Sequence, residues 1–456
     1  MTHVVIIGGG PGGYEAALVA SRIGADVTII ERDGWGGSTV LTDCVPSKTL
    51  IATSELLTEV ATAAELGVEL PAHAQADLAA VNSRVLELAQ AQSDDIAERL
   101  TSAGVTLIRG TARVESPGLV QVSTAEGESR IEASGILIAT GASPRTVAQA
   151  LPDGERVFTW EQIYALDERP EHLIVVGSGV TGAEFASAYS TMGIDVTLIS
   201  SRDQVLPGED SDAAALIEDV FTRHGMTVLG NSRMESVVRE GDDVVVTLTD
   251  GRTIIGSHCL LALGSIPNTQ DLGLESVGVR TDESGFVIVD KVSRTSVPGI
   301  YAAGDCTGVF MLASVAAQQG RIAMAHVLGD AVNPLNLEVV ASNVFTTPEI
   351  ATVGLTEQQI QDRGFLVDVA MLPLAANARA KMQGIHDGFV KLFARQGVGT
   401  IIGGVVVGPH ASELIHPVAL AVTASLTADQ FAETFTVYPS LSGSIGEAAR
   451  HLHRYS

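Results

Sequence analysis

Short apolar runs that break into glycine turns organise this chain. Residues 4–7 are apolar and lead straight into Gly8-Gly9-Gly10-Pro11-Gly12-Gly13; a helical stretch over 14–23 follows, and the next apolar run, 27–30, ends in Glu31. Strand, glycine turn, helix and strand thus close a βαβ unit within about 30 residues. The same grammar returns at 172–176, Gly177-Ser178-Gly179-Val180-Thr181-Gly182, a helix through Met192 and a strand over 196–199. An Ala- and Glu-rich stretch over 53–103 predicts long helices between the first unit and strands near 106–108 and 136–140. After Phe345 the pattern changes to strands around 390–393 and 401–407, with helices from Ala411 and Ala428. The predicted class is α/β, with two Rossmann-like nucleotide-binding units and a separate α+β unit at the C-terminal end.

Composition narrows this picture. With 456 residues the chain has room for several domains, and 46% hydrophobic against 18% charged residues excludes a disordered chain. Its net charge of −27 repels phosphate backbones and anionic headgroups, so no nucleic-acid partner is expected. Mean hydropathy is +0.28, yet no apolar stretch reaches the roughly 18 to 20 residues of a membrane-spanning helix. The apolar run begins by Val4 without a basic or Arg-rich leader, which leads to a cytoplasmic protein as the expectation. Cys44, Cys259 and Cys306 are too few and too widely spaced for a disulfide framework or a zinc site.

The glycine loops carry the first chemistry. Gly8 suits the tight turn, Gly10 a close backbone approach to a pyrophosphate, and Gly13 close helix packing, with the phosphate at the helix N-terminus. Glu31, 21 residues past Gly10, is spaced to accept hydrogen bonds from the ribose hydroxyls of FAD or NAD. The matching position after Gly179 is Ser200, not an acid. Ser200, Ser201 and Arg202 offer donors to a 2′-phosphate, so NADPH joins NADH as the exchanging substrate; a solvated strand end has the same composition. One resident and one exchanging dinucleotide suit hydride transfer from a nicotinamide to a flavin.

Further motifs follow in order: Gly36-Gly37-Ser38 through Cys44-Val45-Pro46-Ser47-Lys48, Ala139-Thr140-Gly141, Gly177 to Glu184, Ala303-Gly304-Asp305, and Phe345-Thr346-Thr347-Pro348-Glu349-Ile350. Over essentially the whole chain they resemble the pyridine nucleotide-disulfide oxidoreductases, the family of lipoamide dehydrogenase and glutathione reductase. The resemblance implies an FAD-binding domain formed by 1–147 and 269–342, an NAD(P)-binding domain at 148–268, and an interface domain at 343–456 that makes a homodimer or a dimer of dimers. It implies cofactor contacts from Gly8, Gly10, Pro11, Gly13, Glu31, Gly37, Ser38, Cys44, Lys48, Ala112, Thr140, Gly141, Gly177, Gly179, Gly182, Glu184, Ser200, Ser201, Arg202, Gly264, Gly304, Asp305, Leu312 and Ala313. Asp305 would bind the ribityl chain, a helix starting near Leu312 would aim its amides at the flavin, and Lys48 with Glu184 would form a catalytic ion pair beside the ring.

Two departures bear on function. Family reductases carry two cysteines five positions apart before Pro-Ser-Lys, where this chain has Thr39 and Cys44, so no redox disulfide forms. The family's proton-handling His and Glu correspond to Tyr438 and Gly443. The chain is similar in both respects to the disulfide-lacking actinobacterial NAD(P)H quinone reductases. The expected activity is therefore FAD-dependent NAD(P)H:quinone oxidoreduction with a diffusible quinone as the small-molecule acceptor. Two alternatives stand beside it: an NAD(P)H oxidase or peroxidase using Cys44, and a non-catalytic flavin-binding protein. Cys44 reads as a charge-transfer thiolate, a sulfenate-forming centre or an inert packed thiol. Tyr438 reads as a proton donor or an interface residue. His410, Glu413 and His416 recur at helical spacing but lack a fourth ligand, so no metal is predicted.

Overall fold

In the computed structural model, which describes residues 2–69 and 74–453, the two glycine-loop units are built alike. The strand His3–Ile7 is central in a five-stranded sheet ordered 300–302, 135–138, 3–7, 26–31, 106–109. His172–Val176 holds the same place in a second five-stranded sheet, ordered 227–229, 195–199, 172–176, 258–261, 157–159. All pairings in both are parallel. The likeness extends to side chains: His3 pairs in register with Asp26 and His172 with Asp195. His3 Nε2 lies 3.0 Å from Thr28 Oγ1, and His172 Nε2 lies 2.8 Å from Thr197 Oγ1. Val4, Val5 and Ile6, like Leu173, Ile174 and Val175, are wholly buried, which is why these strands read as continuous apolar runs rather than alternating ones.

The helix after the first loop, Pro11–Arg22, begins three residues earlier than the apolar pattern predicts, because proline's missing N–H costs nothing at the first helical position. It lies against Ala313–Val327, and glycine makes the approach possible: a Cβ at Gly320 would sit 2.0 Å from the Gly12 carbonyl oxygen. The helical region predicted over 53–103 is two helices, Cys44–Thr62 and Leu78–Ser102. The first starts nine residues earlier than predicted, with Pro46 in its first turn, and Gly67 at φ +80° lies past its end.

The chain leaves the first sheet after Ile138 and returns at Ile300, with the second sheet built in between. Its exit and return run side by side as an antiparallel pair, Ala142–Pro144 with Ser265–Pro267, closed by the Arg145 amide donating to the Gly264 carbonyl at 2.9 Å.

Beyond residue 340 a five-stranded antiparallel sheet, ordered 341–344, 349–354, 401–408, 389–395, 367–373, packs beneath the helices His416–Thr423 and Gly443–Leu452. Lys391 ties this sheet to the second parallel unit. Its side chain is 3% exposed, and its Nζ donates to Asp210 at 2.9 Å, Asp212 at 2.8 Å and Glu357 at 3.1 Å. Among the described residues no helix is long and apolar enough to cross a membrane.

Candidate active site

The first glycine loop opens onto a cavity of about 660 Å³ at the carboxyl ends of the first sheet, where open parallel sheets place their ligands. Gly8, at φ +107°, could not be replaced without collision, since a Cβ would stand 2.1 Å from the Ala139 carbonyl oxygen. Gly13 lies behind the lining, where a Cβ would meet the Gly8 oxygen at 1.9 Å. At Gly10 a Cβ would meet only the Gly36 oxygen, at 3.9 Å, so the backbone above the helix start is bare, as a pyrophosphate requires. Of the residues implied for cofactor contact, Gly8, Gly10, Pro11, Glu31, Gly37, Ser38, Ala112, Thr140, Gly141, Gly304, Asp305 and Ala313 line this cavity.

Two carboxylates belong to the lining. Glu31 is 8% exposed and accepts from the amides of Gly9 and Asp33, each at 2.6 Å, which fixes its position at the end of its strand. Asp305 follows the strand Ile300–Ala302; burial, and then Asp43, push its carboxyl up to about 6. Leu312 is the extended N-cap of the helix Ala313–Val327 and supplies no capping side chain, so the first amides are left to whatever occupies the cavity. Bare glycine backbone, two placed carboxylates and an uncapped helix start fit a dinucleotide flavin.

The second loop repeats the construction. Gly177, at φ +112°, would bring a Cβ within 2.2 Å of the Ala262 oxygen, and Gly182 within 1.8 Å of the Gly177 oxygen, while a Cβ at Gly179 would meet nothing within 4 Å. Gly179 has φ −71° and ψ −175° against −69° and −176° at Gly10. Gly264, at φ +84° after its strand, corresponds to Gly141, at φ +69°. The three polar residues at the end of the next strand divide. Ser200 is wholly buried, and its hydroxyl accepts from Ser178 Oγ at 2.7 Å and donates to the Gln204 carbonyl at 3.3 Å. Ser201 and Arg202 are exposed. The donors open to a 2′-phosphate are therefore these two.

Lys48 and Glu184 come from different units and meet. Lys48 Nζ donates to Glu184 Oε2 at 2.8 Å, and the Phe345 amide donates to Glu184 Oε1 at 2.9 Å. The Lys48 ammonium also stands 4.9 Å from the centre of the Phe345 ring. Burial pulls this lysine down, but Glu184, Cys44 and Asp43 outweigh it and hold it above its ordinary range. Cys44 is displaced in the opposite chemical sense: burial and the neighbouring Asp43 push the thiol up to about 12, so it stays protonated. Thr39, which stands in place of a second sulfur, lines the cavity.

Two acids that pattern reading missed lie in or beside the site. Glu161 lines the cavity although it belongs to the segment after Val157–Thr159 of the second sheet, and no local motif marks it. Asp43 directly precedes Cys44. Burial first, and Glu184 as well, raise its carboxyl against the pull of Lys48. Its position inside the Lys48 motif was the one available signal. His410, Glu413 and His416 are not on one helix: His410 sits at φ +56° before Ala411–Leu414, and His416 opens the next helix. Among the described residues no group of three metal-ligating side chains occurs. Tyr438 is 84% exposed, beside Phe435 and Val437, which are also exposed.

Residues 2–320 match the family described as pyridine nucleotide-disulphide oxidoreductase, and residues 340–449 match its dimerisation domain. The chain is 52% identical to an NAD(P)H dehydrogenase (quinone) of Mycobacterium tuberculosis, with 99% of this chain and 94% of that protein covered. It is 32% identical to a dihydrolipoyl dehydrogenase of Zymomonas mobilis, covering 98% and 96%. The crystal structure of LpdA from Mycobacterium tuberculosis matches with a TM-score of 0.95 at 52% identity, over 100% of both chains. The flavoprotein disulfide reductase RclA of Escherichia coli matches with a TM-score of 0.89 at 25% identity, over 99% of both.

Proposed function

The chain belongs to the pyridine nucleotide-disulphide oxidoreductases, and on that premise we propose that it oxidises NADPH or NADH through FAD and passes the electrons to a diffusible quinone without a redox disulfide. It is an FAD-dependent oxidoreductase with a C-terminal dimerisation domain. The observation that carries the acceptor reading is the pairing of an intact Lys48–Glu184 bridge with Thr39 at the second cysteine position and a Cys44 thiol held protonated. Electrons that reach the flavin have no dithiol to receive them.

FAD supplies the two-electron exchange between nicotinamide and acceptor when bound. The chain's own residues do the rest. Gly10 leaves room for the pyrophosphate in a loop whose turns need Gly8 and Gly37, Glu31 receives the adenosine ribose and Asp305 the ribityl hydroxyls. Lys48, kept cationic by Glu184, stabilises negative charge at the reacting end. Gly177, Gly179 and Gly182 seat the exchanging nicotinamide dinucleotide, with Ser201 and Arg202 beside its 2′-position. We assign 1–147 and 269–342 to the flavin domain, 148–268 to the nicotinamide domain and 343–456 to the interface, in a cytoplasmic homodimer or dimer of dimers.

The protonated Cys44 opposes an oxidase or peroxidase route, which needs a thiolate. Anaerobic stopped-flow tests the reading: NADPH bleaches the flavin, and mixing with a simple quinone restores its colour while lipoamide does not. Recovery with lipoamide would overturn it, and absence of bleaching would leave a binding protein.

A further inference from the structure

We propose that the quinone binds where the oxidised nicotinamide has just left, against Lys48, Phe345 and Val180, so that donor and acceptor use one site in turn. The inference rests on the quinone reading above and names the place where that acceptor is held.

The bridge from Lys48 to Glu184 marks the place. Among the described residues it is the one ion pair between the two glycine-loop units. The other bridges of the inserted unit lie within it or run to the C-terminal unit, from Arg223 to Asp387 and from Lys391 to Asp210 and Asp212. Lys48 is on the helix Cys44–Thr62, which follows Gly37, Ser38, Thr39, Leu41 and Thr42 of the first cavity's lining. Glu184 is on Val180–Thr191, the helix that leaves the second loop, and stands about 7.5 Å along its axis from Gly179. A nicotinamide whose phosphates rest at Gly179, and whose hydride goes to a flavin in the first cavity, meets both requirements at this bridge.

What flanks the bridge is apolar and open. Val180 lies four residues before Glu184, on the same helix face, and is 43% exposed, whereas every residue from Gly182 to Tyr189 is buried. Phe345 is half-buried; its amide donates to Glu184 Oε1 at 2.9 Å and its ring centre lies 4.9 Å from the Lys48 ammonium. The ammonium gives one hydrogen bond to Glu184 Oε2 and, with 29% of its side chain exposed, has further N–H donors to offer.

A quinone asks for such a set: an aromatic face for its planar ring, and a fixed cation for the carbonyl oxygens on which charge gathers. A nicotinamide ring, planar and bearing a carboxamide carbonyl, asks for the same. One ring fills the place and excludes the other, so the two substrates alternate. Over a cycle NAD(P)H gives up a hydride and leaves as NAD(P)⁺; the quinone then takes two electrons and one proton as a hydride equivalent by way of FAD, takes a second proton from water, and leaves as hydroquinone. The sum is NAD(P)H, one proton and quinone giving NAD(P)⁺ and hydroquinone.

Initial rates of the wild-type holoenzyme with NADPH and benzoquinone, inhibited by NADP⁺, decide between one site and two. On a shared site NADP⁺ competes with benzoquinone and is noncompetitive against NADPH. The converse pattern, competition with NADPH and noncompetitive inhibition against benzoquinone, belongs to separate sites and overturns the proposal. Saturation-transfer NMR of duroquinone on the oxidised protein reads binding without turnover: the signal should disappear as NADP⁺ saturates the enzyme, and a signal that survives saturation also overturns the proposal. Phe345→Leu keeps the backbone amide for Glu184 and removes the ring, so the KM for benzoquinone should rise about three- to tenfold; a KM within twofold of wild type overturns the placement against Phe345. Wild-type protein whose flavin is bleached by NADPH and not restored by benzoquinone would instead remove the quinone reading, and the inference with it.

Discussion

Glu184→Gln removes the counter-charge of Lys48 and keeps nearly everything else. The glutamine retains an oxygen for the Phe345 amide, now 2.9 Å from Glu184, while the ammonium loses a partner at 2.8 Å. Glu184's side chain is 4% exposed and that of Lys48 29%, so water compensates only in part. Breaking a buried pair from one side costs about 3–5 kcal/mol, and the retained amide bond with the partial exposure of Lys48 places the expected loss at about 3 kcal/mol. Its pH dependence has a defined sign. In the wild type Lys48 is held above its ordinary value, so the pair's contribution is complete below that value and lost only as pH rises through the raised one; between pH 7 and 9.5 it is constant. In the variant the raising effect of Glu184 is gone, so the lysine titrates lower than in the wild type and the penalty is smaller at pH 9.5 than at pH 7, or at most equal to it. Guanidinium unfolding at the two pH values, followed by flavin release and by far-ultraviolet circular dichroism, reads this directly. A loss below about 0.5 kcal/mol, or one larger at pH 9.5 than at pH 7, would refute the reasoning and make the pair a solvated surface contact.

Other substitutions separate the remaining parts. Gly177→Ala, which forces a Cβ to 2.2 Å from the Ala262 oxygen, should leave the purified protein yellow but abolish flavin bleaching by NADPH; full bleaching would dissociate the second loop from nicotinamide binding. Arg202→Ala should raise the KM for NADPH about tenfold relative to that for NADH, a charge-assisted bond's worth, and unchanged selectivity would remove the 2′-phosphate assignment. Cys44→Ser should keep quinone turnover within about twofold, and wild-type Cys44, its thiol pushed up to about 12, should alkylate with iodoacetamide at pH 8 far more slowly than free cysteine. Lys391→Met leaves Asp210 buried without its cation and should cost about 3–5 kcal/mol, seen as an earlier unfolding transition in calorimetry.

Much of the fold was legible because each glycine loop carries its own constraint. Gly8 and Gly177 must adopt positive φ against a carbonyl, and that demand is written locally in the strand, turn and helix around them. What failed to read lies in contacts between distant segments. The helices Cys44–Thr62 and Leu78–Ser102 both bury residues against the second unit, Leu50 and Val85 among them, a contact that alternation alone cannot weigh. Ser200 occupies the expected position, but its hydroxyl is taken by Ser178 of the preceding loop, a partner 22 residues away. Glu161 lines the first cavity from the inserted unit, beside Thr42, so no spacing announces it. Asp43 was visible beside Cys44, and only its unused carboxylate sets it apart from an ordinary cap.

The antiparallel strands at 142–144 and 265–267 have a topological consequence. Because the chain enters and leaves the second parallel sheet through hydrogen-bonded neighbours, the inserted segment begins and ends at one point in space, bridged by Arg145 and Gly264. The inserted unit thus has one covalent gateway, and what holds it against the rest of the chain is side-chain contact, including Lys391 with Asp210 and Asp212, and Lys48 with Glu184.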